Sequence, residues 1–459
     1  MLVKGEIDDV RVNHRASVDK IVGFGLAEGF LKEGMRCFPD PRKQWEVPIE
    51  ALLLPQILQR LNDEHSLLLA PYMLNDADLI SSLGFNVRCL EEGFNKRNKT
   101  VRLAPFHGET LKQLLLGARV PKLIEWFNNG WLPLWRANSP GRTKQYLLDG
   151  MKIEVPAHLG AKYQGAGMVK NPDDSVSWGY KAVWLQEVID NKGVIVALTI
   201  VPIQVHELNA AKEMVETFPF EVGARLIMDR GFISGEWITH LKQERKVEVF
   251  VPLRRNMDAT QTAVSTADNR ETWNDHPTRK GQKVADVSLE EGTLHWKECP
   301  VIESGALVRW VMPDGTPQEV LFVTTEKNCT SKKILEIYDQ RAEIEESHRQ
   351  MKQNQGIENL PSKKFVHVVF RILMNVISFN LMTLFLNSEN CDTFEQYSLR
   401  AMRQRRSSER NPKVIIYAGD SFATLRLLEF VPMILEYDDK VRKKLAKLLK
   451  NLGKAPAPG

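Results

Sequence analysis

One glutamate between two cations, in a segment near the C-terminal third of this 459-residue chain, is the clearest candidate for chemistry. In the stretch YDQRAEIEESHRQMK, Tyr338, Arg341, Glu345 and Lys352 are offset by 0, 3, 7 and 14 residues. On a continuous helix these offsets place the four side chains within an arc of about 60°. Arginine offers a bidentate fork and lysine a point charge to a phosphate, so this face combines a carboxylate with phosphate-binding groups.

Two aspartates upstream supply further carboxylates. Asp149 lies in a predicted strand, Gln145–Val155, and Asp229 follows the apolar residues 226–228 at the end of another. Charged residues are uncommon inside strands, and a buried aspartate needs a partner or a metal ion. Each aspartate taken alone is also explained as a turn or helix-cap residue.

Three carboxylates brought together repel one another unless a cation neutralises them. Mg²⁺ is a hard cation that prefers oxygen ligands, and Mn²⁺ can substitute for it. Two such ions about 3.5–4 Å apart activate a water or a 3′-hydroxyl and stabilise the leaving oxygen at a phosphodiester. The combination of Asp149, Asp229 and Glu345 therefore predicts metal-dependent phosphodiester chemistry. An ion-paired surface helix remains the alternative for residues 338–352.

The elements that must position these residues form a predicted α/β core. Further strands are predicted at residues 178–188, 193–205, 226–228 and 247–253, and helices at residues 208–217 and 235–245. Residues 331–355 contain no Gly or Pro and precede Gly356, which predicts one uninterrupted helix. Its Ile337, Ile344 and Met351 repeat at heptad spacing and are expected to pack inward.

Residues 254–325 break this alternation. Four short strands separated by turn residues predict an all-β insertion, at residues 284–289, 293–299, 307–312 and 318–324. The predicted organisation is a helical N-terminal region that is a candidate for DNA binding (1–105), the first part of the core with its lead-in helix (106–253), the insertion (254–325), the second part of the core (326–390) and a helical, basic C-terminal region (391–459).

The charge of the chain is uneven. The net charge is +4, but residues 400–459 contain 14 Lys and Arg against 6 Asp and Glu, which gives this tail +8 and the rest −4. A basic tail favours contact with nucleic acid and is equally typical of a soluble chain end. The apolar residues 365–386 are interrupted by His, Arg and Asn, which predicts a buried core helix rather than a membrane span. Five scattered cysteines without a CxxC pair predict reduced thiols.

The spacing Y-x2-R-x3-E-x6-K resembles the signature of DDE transposases of bacterial insertion sequences, in the large group called insertion-sequence family four. DRGF at Asp229 is similar to that family's segment around the second catalytic aspartate, and LLDG at residues 147–150 to the strand that carries the first. WGYK and the β-rich stretch that ends in VHE at Glu207 resemble its next two strands. Many relatives have Thr or Ser soon after the first aspartate, whereas Gly150 follows here. Asp173 or Asp174 is therefore an alternative first acid.

The resemblance implies a ribonuclease-H-like fold in which Asp149, Asp229 and Glu345 are catalytic and bind the metal ions. It also implies that Arg341 and Lys352 hold phosphates of the transposon end and that Tyr338 lies against its backbone.

A further implication concerns DNA contacts of the insertion. In some relatives an aromatic residue there stacks on a base flipped out near the cleavage site. Trp296 is the candidate in this chain, ahead of Trp273 and Trp310, and a core position is its alternative explanation. Arg254, which follows the fifth strand, is an additional candidate contact with DNA.

These observations lead to the hypothesis of a transposase that cleaves at the terminal inverted repeats of an insertion sequence and joins the 3′ ends to target DNA. The expected partners are double-stranded DNA and a second copy of the chain, with no membrane, in the cytoplasm of a bacterium and near its nucleoid. Two alternatives stay open: an idle or domesticated relative that only binds DNA, and a ribonuclease-H-like nuclease without strand transfer. A P-loop ATPase is disfavoured because GxxxxGK[ST] is absent.

Overall fold

The computed structural model describes most of the chain, namely residues 7–13, 16–43, 46–62, 66–94, 105–136, 144–189, 192–268, 273–360, 362–388, 412–418, 421–436 and 439–452. The chain divides into two compact units. One combines Met1–Leu134 with Met351–Gly459, and the other is formed by Trp135–Gln350. The second unit is therefore an uninterrupted stretch, whereas the first is built from both ends of the chain.

The N-terminal part of the first unit is mainly helical. It begins with strand β1 (Asp9–Asn13) and continues with short helices. These are α1 (Ala16–Ala27), α2 (Phe30–Arg36), α3 (Ile49–Asn62), α4 (Ala77–Ser82), α5 (Cys89–Glu92), α6 (Gly108–Gly117), α7 (Val120–Glu125) and α8 (Leu132–Arg136). Residues Trp126–Trp131 link α7 to α8 through wider, π-type turns.

The second unit is built on one large mixed sheet. Its strands are β2 (Gln145–Val155), β3 (Gly167–Lys170), β4 (Val176–Ile189), β5 (Lys192–Pro202), β6 (Arg225–Met228), β7 (Glu248–Pro252), β8 (Asn274–Asp275), β9 (Lys283–Ser288), β10 (Ser304–Val311) and β11 (Pro317–Thr324). Their order across the sheet is β3-β4-β2-β6-β7-β11-β10-β9-β8, and β5 also pairs with β4. The predicted core strands are confirmed, and β2 has the predicted bounds.

Parallel pairing in the middle of this sheet requires crossover helices. Strand β2 is antiparallel to β4 and parallel to β6, and β6 is parallel to β7. Helix α9 (Glu207–Thr217) connects β5 to β6, and α10 (Gly235–Gln243) connects β6 to β7. Both helices occur where the sequence predicts them, within two residues at each end.

The insertion differs from the prediction in two ways. It contains a helix, α11 (Asp258–Asp268), so it is not all-β. Ala259, Ala263 and Ala267 are buried at four-residue spacing, which is the period of a helix facing a core. Residues 293–299 form turns instead of a strand, because the alternating apolar side chains are buried without a neighbouring strand to pair with. The remaining strands extend the central sheet through β11, which pairs antiparallel with β7.

The prediction of a single helix over residues 331–355 is wrong. The chain forms α12 (Ser331–Asp339) and α13 (Ala342–Gln353), separated by Gln340 and Arg341. At this break the Arg341 amide donates to the carbonyl of Tyr338, three residues back, so the four-residue helical ladder is lost. The inward strip is confirmed, since Ile337, Ile344 and Met351 are all buried.

The C-terminal part of the first unit contains α14 (Phe365–Asn387), strands β12 (Lys413–Ala418) and β13 (Ser421–Arg426), and helices α15 (Leu427–Glu436) and α16 (Asp439–Leu452). Among the described residues, α14 is long and apolar enough to cross a bilayer, and its apolar window is wholly buried in the protein, as predicted for a core helix. Strands β1, β12 and β13 form a three-stranded sheet. The two terminal regions are therefore not purely helical, which corrects the prediction.

Candidate active site

The pairing of two parallel strands brings Asp149 and Asp229 together. Leu148 of β2 is in register with Met228 of β6, and each aspartate is the next residue along its chain. Neighbouring parallel strands lie about 4.8 Å apart, so the two aspartates leave the sheet side by side. Asp149 is buried within β2, whereas Asp229 caps the short turn Arg230–Phe232 that follows β6.

A single guanidinium contacts all three predicted acids. Arg341 Nη2 lies 3.2 Å from Asp149 Oδ2 and 3.4 Å from Asp229 Oδ2, and Arg341 Nη1 lies 2.5 Å from Glu345 Oε1. The break between α12 and α13 places Arg341 at the end of the sheet, and Glu345 follows one turn later on α13. The predicted strip on one helical face is thus replaced by a cluster of acids around one cation.

Buried contacts fix α13 against the sheet behind Glu345. The amide of Gln186 donates to the hydroxyl of Ser347 at 3.1 Å, and both side chains are buried. A bulge at Leu185 and Gln186 directs this amide, and it passes so close to Gly193 that a side chain there would overlap it. The next residue of α13, His348, meets the ring of Trp184 edge-on. These contacts orient the face of α13 that presents Glu345.

The environment of Asp149 favours its protonated form. Burial raises the pKa of Asp149 to about 6, and the negative charges of Asp229 and Glu207 act in the same direction. The charge of Arg341 and the amide of Gly150 oppose this rise. A buried aspartate whose ionisation is disfavoured is typical of a site whose carboxylates bind an additional cation.

Tyr338 lies at the edge of this cluster. Its ring packs on Phe322 of β11 at a centroid distance of 4.8 Å, and burial raises the pKa of its hydroxyl. With Phe322 and Trp310 it lines a cavity of about 230 Å³, which Arg230 and Arg279 also border. The cavity thus combines aromatic faces with two arginines, one of which, Arg230, directly follows Asp229 in the sequence.

The structure contradicts the surface position expected for Trp296. This side chain is only 2% exposed, so it packs in the interior and offers no face to a base. Trp273 is partly covered by the guanidinium of Arg309, 4.4 Å from its ring centre. Trp310, the third tryptophan considered, is the one that borders the cavity.

The two remaining predicted DNA contacts are accessible. Lys352, near the end of α13, pairs with Glu358 at 3.0 Å, and both side chains are partly exposed. Arg254 is exposed directly after β7, where its carbonyl accepts a hydrogen bond from Thr260.

Comparison with known families places this site in a class of enzymes. The model of the transposase DDE domain matches residues 141–381, which is more than half of the chain and includes all three acids. The chain belongs to the DDE transposase family. It is therefore an enzyme of DNA transposition, and DDE transposases generally use divalent metal ions.

Comparisons with individual proteins add less. A cryo-EM structure of the piggyBac transposase synaptic complex with hairpin DNA is similar to this transposase with a TM-score of 0.43 and 12% sequence identity, over 95% of this chain and 84% of that one. This similarity is too low to establish a shared fold. No curated protein matches the sequence of this transposase.

The acids of the transposase fit a divalent cation by their chemistry. Carboxylate oxygens are the ligands that Mg²⁺ prefers, and Asp149, Asp229 and Glu345 already gather around a positive charge. Across the described ranges, no three His, Cys, Asp or Glu side chains are arranged to hold a metal ion directly. The acids face the guanidinium of Arg341 instead, so metal binding requires a rearrangement of these ion pairs.

Sequence reasoning missed the groups that support the acids. Gln186 and Ser347 are ordinary polar residues in the sequence, and their pairing depends on a bulge that no local pattern predicts. Glu207 stands out in the sequence only as the end of the VHE stretch, but it begins α9 and its charge acts on Asp149. The glycine directly after Asp149 was a usable signal, since glycine inside a strand often marks a close approach.

The raised pKa of Asp149 gives a testable stability difference. We expect Asp149→Asn to increase the free energy of unfolding of the DNA-free transposase at pH 7.5 by about 1–3 kcal/mol. The folded wild type has a pKa of about 6 at this residue, against about 3.9 in the unfolded chain. Between these values the folded state binds more protons, so the stability of the wild type falls as pH rises. Asparagine, which stays neutral, avoids that loss.

Urea denaturation of both proteins in EDTA, at pH 4.5 and pH 7.5, measures this difference. The difference in free energy of unfolding between Asp149→Asn and the wild type should be small at pH 4.5 and should reach its full value at pH 7.5. Asp275→Asn is the matched control, because Asp275 is an exposed aspartate of the same unit and its surface pair with Lys283 contributes little. An Asp149→Asn variant that is less stable than the wild type at pH 7.5 would contradict the expectation.

Proposed function

We propose that this transposase is of the insertion-sequence family four type, cleaves phosphodiester bonds at the terminal inverted repeats of its element, and joins the 3′ ends to target DNA. The observation that carries the proposal is the convergence of Asp149, Asp229 and Glu345 on Arg341, from two adjacent strands and one helix. A ribonuclease-H-like core is part of the proposal. The strand order β5-β4-β2-β6-β7, with β2 and β6 parallel and carrying the aspartates, supports it.

In this proposal Asp149, Asp229 and Glu345 hold two Mg²⁺ ions, for which Mn²⁺ can substitute. When bound, such ions activate a water or 3′-hydroxyl and stabilise the leaving oxygen of the phosphodiester. The sheet fixes the two aspartates, and the buried contacts of α13 orient Glu345 toward them. The side chains of Asp229 and Glu345 are 37% and 64% exposed, which leaves their carboxylates accessible to DNA.

Arg341 has a second role in the proposal. Its guanidinium neutralises the acids in the DNA-free protein, and it would be available to a DNA phosphate if divalent cations held by the acids supplied that charge. Lys352 and Arg254 add exposed cations for the backbone of the terminal repeat. Tyr338 lies against that backbone beside the cavity it lines with Trp310.

The partners in the proposal are double-stranded DNA and a second copy of the chain, in the bacterial cytoplasm and near the nucleoid. Transposition joins two ends of one element, so a dimer that holds one end per subunit matches the task. The basic tail supports the contact with DNA, although residues 389–411 lie outside the described residues.

A strand-transfer assay tests the proposed function. The probe is a duplex that carries the imperfect inverted repeat flanking the coding sequence, supplied with a precut 3′ end, together with a supercoiled target plasmid and Mg²⁺. We expect joined products in which the 3′ end of the probe is covalently linked to the plasmid. Cleavage of uncut probe without joining would indicate a nuclease, and binding without either product would indicate an idle DNA-binding relative.

A further inference from the structure

Glu207 is a carboxylate near the acid cluster to which the proposed function gives no role. It is the first residue of α9, and the imidazole of His206 caps this helix by accepting the amide of Leu208 at 3.2 Å. Glu207 Oε1 lies 3.1 Å from Lys181 Nζ on β4, and the same ammonium donates to the carbonyl of Val205 at 3.0 Å. Lys181 is buried, so its ammonium ties the carboxylate of Glu207 to the sheet.

The other side of this carboxylate faces both segments that carry the aspartates. A Cβ atom at Gly150, directly after Asp149, would lie 2.9 Å from Glu207 Cδ. A Cβ atom at Gly231, two residues after Asp229, would lie 3.6 Å from Glu207 Oε2. The charge of Glu207 also acts on Asp149. The side chain therefore lies against the backbone of β2 and of the turn after β6.

The glycine at position 150 indicates that strand β2 accommodates the contact with Glu207. Glycine inside a strand weakens it, because it packs no side chain and loses more conformational entropy on folding. The backbone of Gly150 does not require glycine, since its φ is not positive. The close approach of Glu207 is a reason for glycine at this position, because a Cβ only 2.9 Å from Glu207 Cδ would force the carboxylate to shift.

We propose that Glu207 is a positioning residue of the acid site, which sets the spacing of Asp149 and Asp229 by packing between their backbone segments while Lys181 holds it in place. This inference rests on the proposed function, since the spacing matters only if the aspartates act together. We assign the role to its shape more than to its charge, because Lys181 neutralises the carboxylate on one side and the side chain, which is 27% exposed, packs against the backbone at Gly150 and Gly231 on the other.

A double-mutant cycle tests this role. The variants are Glu207→Ala, Gly150→Ala and the double variant, assayed for Mg²⁺-dependent cleavage of the terminal-repeat duplex. We expect each single variant to lower the cleavage rate at saturating DNA about tenfold and to raise the Mg²⁺ concentration for half-maximal rate severalfold. Binding of the duplex in EDTA should stay within about twofold of the wild type. The double variant should cleave no more slowly than the worse single variant, because alanine at position 150 acts by displacing Glu207.

Further variants make the outcome unambiguous. Glu207→Gln keeps the shape and should cleave within about threefold of the wild type. Glu213→Ala, an exposed glutamate on the same helix, is the matched control and should behave as the wild type. Thermal melting of every variant identifies loss of folding.

The inference is overturned if Glu207→Ala cleaves at the wild-type rate with unchanged Mg²⁺ dependence. It is also overturned if the two single effects multiply in the double variant, or if Glu207→Gln is as slow as Glu207→Ala. Glu345→Gln, run in parallel, separates this failure from failure of the proposed function. Retained cleavage by Glu345→Gln would refute the three-acid site on which the proposed function depends, whereas its loss beside a normal Glu207→Ala would refute only the role of Glu207.

Discussion

Replacing Glu345 with glutamine is expected to lower Mg²⁺-dependent strand cleavage about 10³-fold or more, while binding of the terminal repeat stays within about threefold. Glutamine keeps the shape of the side chain but cannot supply the negative charge that a divalent cation requires. Because the Glu345 side chain is 64% exposed, its pair with Arg341 adds little to stability, and the variant should fold normally. The loss of activity can therefore be assigned to chemistry rather than to unfolding.

Gel assays of cleavage and a filter-binding assay in EDTA measure the two quantities. Glu346→Gln is the matched control, since Glu346 is the next residue on α13 and pairs with Arg349 at the surface. This control should cleave within about twofold of the wild type. If Glu345→Gln retained metal-dependent cleavage, the assignment of Glu345 as the third acid would be wrong.

The second large effect is expected from Arg341→Gln. Removing the guanidinium leaves Asp149, Asp229 and Glu345 without their shared cation, and breaking a largely buried ion pair in this way costs about 2–4 kcal/mol. Arg341 is 20% exposed by side chain, so solvent screens this cost only in part. We therefore expect a lower melting temperature in EDTA than for the wild type.

Mg²⁺ gives this prediction its distinctive signature. A divalent cation at the acids replaces the missing charge, so millimolar Mg²⁺ should raise the melting temperature of Arg341→Gln more than that of the wild type. The control is Arg349→Gln, which removes an exposed surface arginine of α13 and should melt as the wild type does in both buffers. An equal Mg²⁺ shift in Arg341→Gln and wild type would show that the cation does not bind at these acids.

The sequence was sufficient for the strands and for the acids that extend from them. A short apolar run identifies β2, an alternating pattern identifies β4, and a stretch rich in β-branched residues identifies β5. Glu345 could be singled out from its spacing to Arg341 and Lys352. The family resemblance then implied that Asp149 and Asp229 lie on neighbouring strands and join it.

Features that depend on a single local contact could not be predicted. The break between α12 and α13 has no glycine or proline to indicate it, and it occurs at Arg341, the residue that contacts the acids. The burial of Trp296 could not be predicted either. An alternating pattern shows which side chains share a face, but it does not show whether another strand pairs with the segment. Glu207 and Gln186 were missed because their roles depend on contacts with residues far away in the sequence, Gly150 and Ser347.

The three-stranded sheet of the first unit has a consequence for how the chain is made. Strand β1 pairs with β12, so that Asp9 lies opposite Tyr417. During synthesis β1 leaves the ribosome long before its partner exists, whereas Trp135–Gln350 contains all strands of its own sheet. We therefore expect the second unit to fold first. Once folded, it joins the two distant parts of the first unit at a lower entropic cost than a flexible loop of the same length would.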